Sequence, residues 1–270
     1  MNQPDRLAGP PPADQEVPPA VRALADGRPV RPVWRNQLGG LTFEIGTGTG
    51  RCFAKWAPAG SGLDLGREVA RLRWAARFAP VPRVLDTGRD ATGGWLLTAE
   101  PPGDSAVAAR WKADPRTAVV AIGRGLRHLH DTLPVADCPF SWSTEDQLGR
   151  VRSRATAGTL NPARWHPDLA GWDVPRALAR LADVRPVDRP VVCHGDSCAP
   201  NTLVTEDGTW AGHVDLGTLG VADRWADLAV ATWSLDWNYG PGWQEVLLDA
   251  YGVAPDPERT AYYRLLWELS

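Results

Sequence analysis

The sequence predicts an α+β fold in two lobes, a small strand-rich lobe followed by a larger, mostly helical one, with an active site in the cleft. Three observations carry that expectation. Residues 31–100 read as strands plus one helix, Pro101, Pro102 and Gly103 then interrupt the pattern, and the apolar spacing beyond them is mainly helical. The chain of 270 residues is ample for one large or two small packed domains.

The first twenty residues hold six prolines, so residues 1–30 predict a poorly ordered lead-in. From about Val33 the pattern turns strand-like. LTFEIGTG and RCFAKWAP read as two strands joined by a Gly-Thr-Gly-Thr-Gly turn over 46–50. In Asp64 to Phe78 the apolar residues Leu65, Val69, Leu72 and Ala76 recur at helical spacing, with Asp64 placed to cap. VPRVLDTG and GWLLTAE read as two further strands, which completes a nucleotide-binding lobe over 31–100. Residues 101–103 are the hinge, and 104–270 form the catalytic and substrate-binding lobe. There Arg116 to Leu133 carries an apolar stripe, Asp173 opens a helix over Val174 to Leu181, and Asp256-Pro257-Glu258 opens the last one. VVCHGD, NTLVT and GHVDLG are short strand-like pieces inserted among the helices.

Composition narrows the class of function. No run of 18 apolar residues exists, which excludes a transmembrane helix, and the N-terminal stretch has no basic-then-apolar signal pattern. A net charge of -3 gives no electrostatic case for nucleic acid. The expectation is a soluble cytoplasmic protein with no membrane or nucleic-acid partner. Its four cysteines, at spacings that match neither a disulfide framework nor a zinc pattern, are expected as reduced thiols. Charge is uneven along the chain. Residues 205–270 carry 3 Lys/Arg against 11 Asp/Glu, which is either a solvated face or one wall of a site for a cationic ligand.

Lysine is almost absent, yet Lys55 stands inside a predicted strand, where a charge needs a reason. Glu68, thirteen residues on, lies with the apolar stripe of the next helix and so points toward the strands. Such a pair suits a nucleotide's α and β phosphates, or it is a snorkelling lysine and a solvated glutamate. The string VVCHGDSCAPNTLV is more specific. Asp196 of His194-Gly195-Asp196 precedes Asn201 by five residues, and Asp215 of an Asp-Leu-Gly string follows nineteen residues after Asp196. Phosphoryl transfer needs a carboxylate to orient and deprotonate the attacking hydroxyl, and hard oxygen donors for magnesium. Asp196 fits the first need, Asn201 and Asp215 the second.

With these motifs the chain resembles the aminoglycoside phosphotransferases, most of all the 3′-phosphotransferase branch. The resemblance runs from about Val33 to the C-terminus and includes FAKWAP, PVPRVLD, LPVADCPF, VDLGTLGVADRWADLAVA and YGVAPDPERTAYYRLLWEL. It implies the two-lobed protein-kinase-like fold and a transfer from ATP, with Mg2+, to a hydroxyl of an aminoglycoside. By match to the family's motifs, Lys55 would hold phosphates, Glu68 would orient Lys55, Asp196 would be the catalytic base, and Asn201 and Asp215 would bind magnesium. Gly39 and Gly40 stand where the family's phosphate-covering turn occurs, or form a plain hairpin. Thr98, Ala99 and Glu100, before the hinge, would line the nucleotide site. Asp168, Asp236 and Glu268 stand near the acidic positions that bind the substrate's ammonium groups, or are ordinary surface acids. Asp227 matches an aspartate that braces the catalytic loop, and His194 is expected to help by hydrogen bonding. His128 and His130 read as packing residues.

Four departures bear on this resemblance. The string Trp267-Glu268-Leu269-Ser270 replaces the family's usual acidic and aromatic ending, Thr218 replaces a common arginine, and Ser197 and Cys198 replace a more usual leucine. Pro101 lacks the N–H that relatives offer adenine, which leaves GTP open beside ATP. Between Asp-Leu-Gly and the next helix there is no room for a protein kinase's peptide platform. The alternatives are a streptomycin-type 3″-phosphotransferase, another small-molecule antibiotic kinase, or a ligand-binding protein that keeps the fold without turnover. The oligomeric state is not legible.

Overall fold

Alternation along the first strands decides which side chains meet. The computed structural model describes residues 9, 11–12, 14–36, 38–48 and 50–270. It divides into two compact units that part between Pro101 and Pro102. The first unit contains helix α1 (Pro19–Ala25), strands β1 (Val30–Arg35), β2 (Leu41–Ile45) and β3 (Cys52–Pro58), helix α2 (Leu65–Ala75), and strands β4 (Val84–Arg89) and β5 (Gly93–Ala99). The strands make one antiparallel sheet in the order β1-β2-β3-β5-β4. Phe43, Ile45 and Ala54 cluster on one face with Val21 and Ala25 of α1. Successive side chains alternate across a strand, so Lys55 emerges on the opposite face from Ala54. Helix α2 packs against β4 and β5.

Helix α1 corrects the expectation of a poorly ordered lead-in. Seven residues are too few to hold a helix in water. Here the two apolar residues Val21 and Ala25 are buried, and the valine alone contributes about 1.5–3 kcal/mol. Farther upstream, the Gly9 N–H donates to the Arg35 carbonyl at 2.9 Å and the Arg35 N–H returns the bond at 2.8 Å. The parts of that expectation at 1–8, 10 and 13, and Thr49 of the glycine turn, lie outside the described residues.

The second unit opens with strand β6 (Asp104–Ser105) and helices α3 (Ala109–Ala113), α4 (Pro115–Thr132), α5 (Thr144–Thr156) and α6 (Val174–Ala182). Strands β7 (Pro190–Cys193), β8 (Thr202–Val204), β9 (Trp210–His213) and β10 (Gly220–Asp223) follow, then helices α7 (Trp225–Tyr239), α8 (Gln244–Tyr251) and α9 (Pro257–Leu269). β7 pairs with β10, and β6, β8 and β9 form a second small antiparallel sheet. The expected caps are in place. Asp64, Asp173 and Asp256 accept backbone N–H bonds from Gly66, Arg176 and Arg259 at 3.0, 2.8 and 3.0 Å. Helix α7 is buried from Trp225 to Leu235, which suits its apolar character on every side. Among the described residues no helix is long and apolar enough to cross a membrane.

Candidate active site

In the first unit, β3 and α2 bring Lys55 and Glu68 together. The Lys55 ammonium donates to Oε1 at 2.7 Å and to Oε2 at 2.8 Å of Glu68. Glu68 is 6% exposed, so a carboxylate that helical spacing aims inward is met by the strand's lysine. Gly39 and Gly40 lie in the turn between β1 and β2, where Asn36 closes the loop. Its Oδ1 accepts from Gly40 N–H at 2.8 Å and its carbonyl accepts from Gly39 N–H at 3.2 Å, so both glycine N–H groups are spent inside the hairpin. Gly40 is needed there, because a Cβ would stand 2.7 Å from both Asn36 Nδ2 and Leu63 Cδ1. Thr98 and Ala99 end β5, and Glu100 follows it. The N–H groups of Ala99 and Glu100 donate to the carbonyls of Arg83 and Arg51 at 2.9 and 3.1 Å, and Arg51 also grips the Glu100 carboxylate.

In the second unit, the loops that leave β7 and β9 carry Asp196, Asn201 and Asp215. Asn201 ties the two loops together. Its Nδ2 donates to the Asp196 carbonyl at 2.9 Å and to Asp196 Oδ2 at 3.3 Å, while its own carbonyl accepts from Val214 N–H at 2.9 Å. Asp215, next along, is exposed and holds a left-handed φ of 64°, a conformation non-glycine residues adopt at a cost and mainly at functional turns. Burial raises the Asp196 carboxyl above its ordinary range, and the Asp215 charge adds to the rise, against hydrogen bonds from Cys198 and Asn201.

The donor set suits a hard divalent cation. Because Asn201 spends its Nδ2 on Asp196, its Oδ1 is the atom left to face a metal beside the Asp215 carboxylate, an all-oxygen set of the kind magnesium prefers.

This loop is braced from α7. Asp227 is fully buried, and its carboxylate accepts from His194 N–H at 2.6 Å, from Gly195 N–H at 2.9 Å and from His130 Nε2 at 2.9 Å. Burial alone would raise its carboxyl, but the hydrogen bonds and charge of His130, with His194 and Gly195, bring it below the ordinary value. His194 bonds through its ring as well, with Nε2–H donating to the Val214 carbonyl at 2.9 Å and Nδ1 accepting from Asp196 N–H at 3.2 Å. Gly195 has φ 83° and presses on Thr218, whose carbonyl a Cβ would meet at 2.6 Å. Thr218 donates from its hydroxyl to the His194 carbonyl at 3.2 Å. Ser197 donates to the Asp227 carbonyl at 2.7 Å, which fastens the loop to α7.

Two of the three candidate substrate acids, Asp168 and Glu268, meet one group of aromatic rings. Asp168 Oδ2 accepts from the Trp233 indole at 2.9 Å. The ring of His166 packs on Trp233 at 4.3 Å, its Nε2 accepts from the Trp237 indole at 2.9 Å, and its backbone N–H donates to Glu268. Trp267 packs on both tryptophans, at 6.4 and 6.2 Å between centroids. Asp236 accepts from Gln244 at 3.0 Å through Oδ2. Its Oδ1 is buried and, among the described residues, has no hydrogen-bond partner. Burial lowers the Arg264 guanidinium's pKa, and the charges of Asp236 and Asp168 oppose that shift.

Three supporting residues are not marked by the sequence. His130, which reads as a packing residue, links Asp227 to the Tyr251 hydroxyl, from which its Nδ1 accepts at 2.9 Å. Ser234 and His166 carry no signal in the sequence. The signal for His130 was a histidine on a continuous apolar stripe, a place where a polar ring requires a partner. His128, by contrast, is exposed and lies against Trp210 at 4.8 Å.

An antiparallel sheet with a lysine–glutamate pair, and a helical unit with an Asp-Asn loop tied to an Asp-Leu-Gly turn, are the parts of the α+β protein-kinase-like fold. Solved relatives agree. An aminoglycoside-3′-phosphotransferase of type VIII superposes with a TM-score of 0.79 at 33% identity, over 93% of this chain and 98% of that one. APH(3″)-Id from Streptomyces rimosus, in complex with ADP and streptomycin, gives 0.71 at 31% identity, over 92% and 95%. In sequence, an aminoglycoside 3′-phosphotransferase of Streptomyces fradiae is 40% identical over 222 residues, 78% of this chain and 82% of the relative. The streptomycin 3″-kinase of Streptomyces griseus is 36% identical over 232 residues, with the same shares. Residues 31–263 match the phosphotransferase enzyme family, and the chain belongs to it.

Proposed function

We propose that this protein transfers the γ-phosphoryl group of ATP to a hydroxyl of an aminoglycoside, the 3′-hydroxyl being favoured, in a magnesium-dependent reaction in the cytoplasm. The observation that carries this reading is the Asp196–Asn201–Asp215 arrangement, a half-buried carboxylate hydrogen-bonded beside hard oxygen donors. Asp196 accepts the proton of the attacking hydroxyl as its oxygen bonds to the γ-phosphorus and the bond to the bridging β,γ-oxygen breaks, releasing ADP. Asn201 and Asp215 would hold magnesium. When bound, the ion would neutralise charge building on the phosphates. Lys55, steadied by Glu68, holds the α and β phosphates. The 3′ preference is supported by the relatives of Streptomyces fradiae and Streptomyces ribosidificus, both aminoglycoside 3′-phosphotransferases at 40% and 39% identity.

Asp168, Asp236 and Glu268 receive the substrate's ammonium groups. Asp236 Oδ1 supports this most directly, since a buried acceptor without a partner costs about 1–3 kcal/mol and an ammonium would satisfy it. Adding a phosphate to such a drug puts negative charge on a ligand that binds RNA through positive charge, so the consequence is resistance. ATP turnover against kanamycin, neomycin, ribostamycin, streptomycin and hygromycin, with Asp196→Ala as control, tests the reading. Turnover on kanamycin or neomycin supports the 3′ assignment, turnover on streptomycin alone moves it to the 3″-hydroxyl, and silence on every drug defeats it.

Two further outcomes are expected. Glu68→Gln removes one charge from the Lys55 pair, worth about 1.5–3 kcal/mol. The KM for ATP should rise by roughly tenfold while the KM for the aminoglycoside stays put, which steady-state kinetics with each substrate varied would check. Glu268 should impose a pH dependence. Burial raises its carboxyl above the ordinary value, so it stays neutral to higher pH than a free glutamate and offers its charge only above that point. The KM for the cationic substrate should therefore fall as pH climbs out of the acid range, and Glu268→Gln should flatten the upper part of that slope.

A further inference from the structure

Cys198 is the one polar side chain of the Asp196 loop with no role so far. Its thiol donates to Asp196 Oδ1 at 3.2 Å, on the oxygen opposite the one that Asn201 reaches at 3.3 Å. The loop around the thiol is held from α7, where Ser234 Oγ accepts from Ala199 N–H at 2.9 Å and from Asn238 Nδ2 at 3.1 Å. Asn238 is held by a second bond to the Ser234 carbonyl at 2.8 Å. Ser234 is fully buried, so these bonds are shielded from competing water.

We propose that Cys198 is a positioning residue for the transfer, its thiol, on a loop that Ser234 anchors to α7, fixing the rotation of the Asp196 carboxylate. The inference rests on the reading of Asp196 as the base. A carboxylate held by Asn201 alone can turn about its Cα–Cβ and Cβ–Cγ bonds. With donors on both oxygens it presents its remaining lone pairs in one direction, where the acceptor hydroxyl must lie. A proton acceptor misplaced by a small rotation loses rate without losing binding. Burial and the neighbouring Asp196 charge both raise the Cys198 thiol well above its ordinary value, so it remains the protonated donor this role requires. Helix α7 also carries Asp236 and Trp237, so one element supports both the base and the candidate substrate acid.

Cys198→Ala and Cys198→Ser are to be compared with neomycin and ATP as substrates, or with streptomycin if only that drug is turned over. Cys198→Ala is expected to lower kcat about tenfold, the low end for a bond to a charged group given sulfur's weak donor strength, with both KM values and the thermal midpoint unchanged. Cys198→Ser, which restores a donor, should recover most of the rate. In an Asp196→Asn background the alanine change should cost nothing more, because the group it positions no longer acts. A kcat within twofold of the parent for Cys198→Ala overturns the proposal. So does a stable Cys198→Ser variant as slow as the alanine one, or a further tenfold loss on top of Asp196→Asn. If Asp196→Asn itself keeps its kcat, the assignment of the base fails first and this inference falls with it.

Discussion

Asp196→Asn is expected to lower kcat by a factor of about 10² to 10⁴, the contribution of a positioned general base, with the KM of both substrates close to the parent. The substitution is nearly isosteric. The Asn201 Nδ2 bond to the residue's backbone carbonyl at 2.9 Å does not depend on the side chain, and the new Oδ1 can still accept from Cys198, while the long 3.3 Å bond from Asn201 Nδ2 to Oδ2 is lost. What disappears is the capacity to take a proton. The stability outcome has the opposite sign. Burial and Asp215 raise the Asp196 carboxyl in the folded protein, so holding it ionised at neutral pH costs folding free energy, and an amide removes that cost. The thermal midpoint should therefore hold or rise while turnover collapses, the pattern of a residue kept for function at the expense of stability. Steady-state kinetics beside a thermal melt decide the matter. A loss of less than tenfold in kcat would mean that Asp196 is not the base.

Local features of the site were legible because their spacing is short. His194 to Asn201 lie on one loop between β7 and β8, and the eight letters fix both the carboxylate and the amide that meets it. Lys55 and Glu68 were legible for a related reason. A charge amid strand residues and a charge on an apolar helical stripe each ask for a partner, and the two elements are consecutive. The strands β2 to β5 and the caps Asp64, Asp173 and Asp256 follow from alternation and from short polar side chains at helix starts.

Partners far apart in sequence were not legible. His130 reaches Asp227 and Tyr251 across 97 and 121 residues, so on the helix it shows only as a polar residue within an apolar stripe. Helix α1 depends on strands some twenty residues later for the cluster that buries Val21, and its proline-rich approach reads as disorder without them. In α7 the apolar character runs right round the helix, so periodicity cannot separate buried Trp233 from Trp237, which is 43% exposed. Ser197 and Ser234 are small polar residues whose worth depends on which backbone atom stands opposite.

Asp227→Ala should be the most destabilising single change at the site. Its carboxylate satisfies the His194 and Gly195 N–H groups and the His130 ring within a fully buried region. Removal strands those donors together, at a cost of about 3–5 kcal/mol on the scale of a broken buried ion pair. For a protein of this size that lowers the thermal midpoint by roughly 10 °C or more. Asp227→Asn separates stability from geometry. The amide oxygen can accept from one of the two backbone N–H groups, and the His130 ring can change tautomer to meet the amide NH2, so the loss of stability should be smaller. One loop N–H is still left without its acceptor, and the turn that carries Asp196 shifts, so kcat should fall at least tenfold in a folded protein. The pH dependence gives an independent check. The folded carboxyl lies below its ordinary value, so its stabilisation is complete above about pH 4 and is lost as pH falls through the folded value. Part of the parent's loss of midpoint in that acid window should therefore be missing in Asp227→Asn. A thermal midpoint for Asp227→Ala within about 2 °C of the parent would show that the loop is held by something other than this carboxylate.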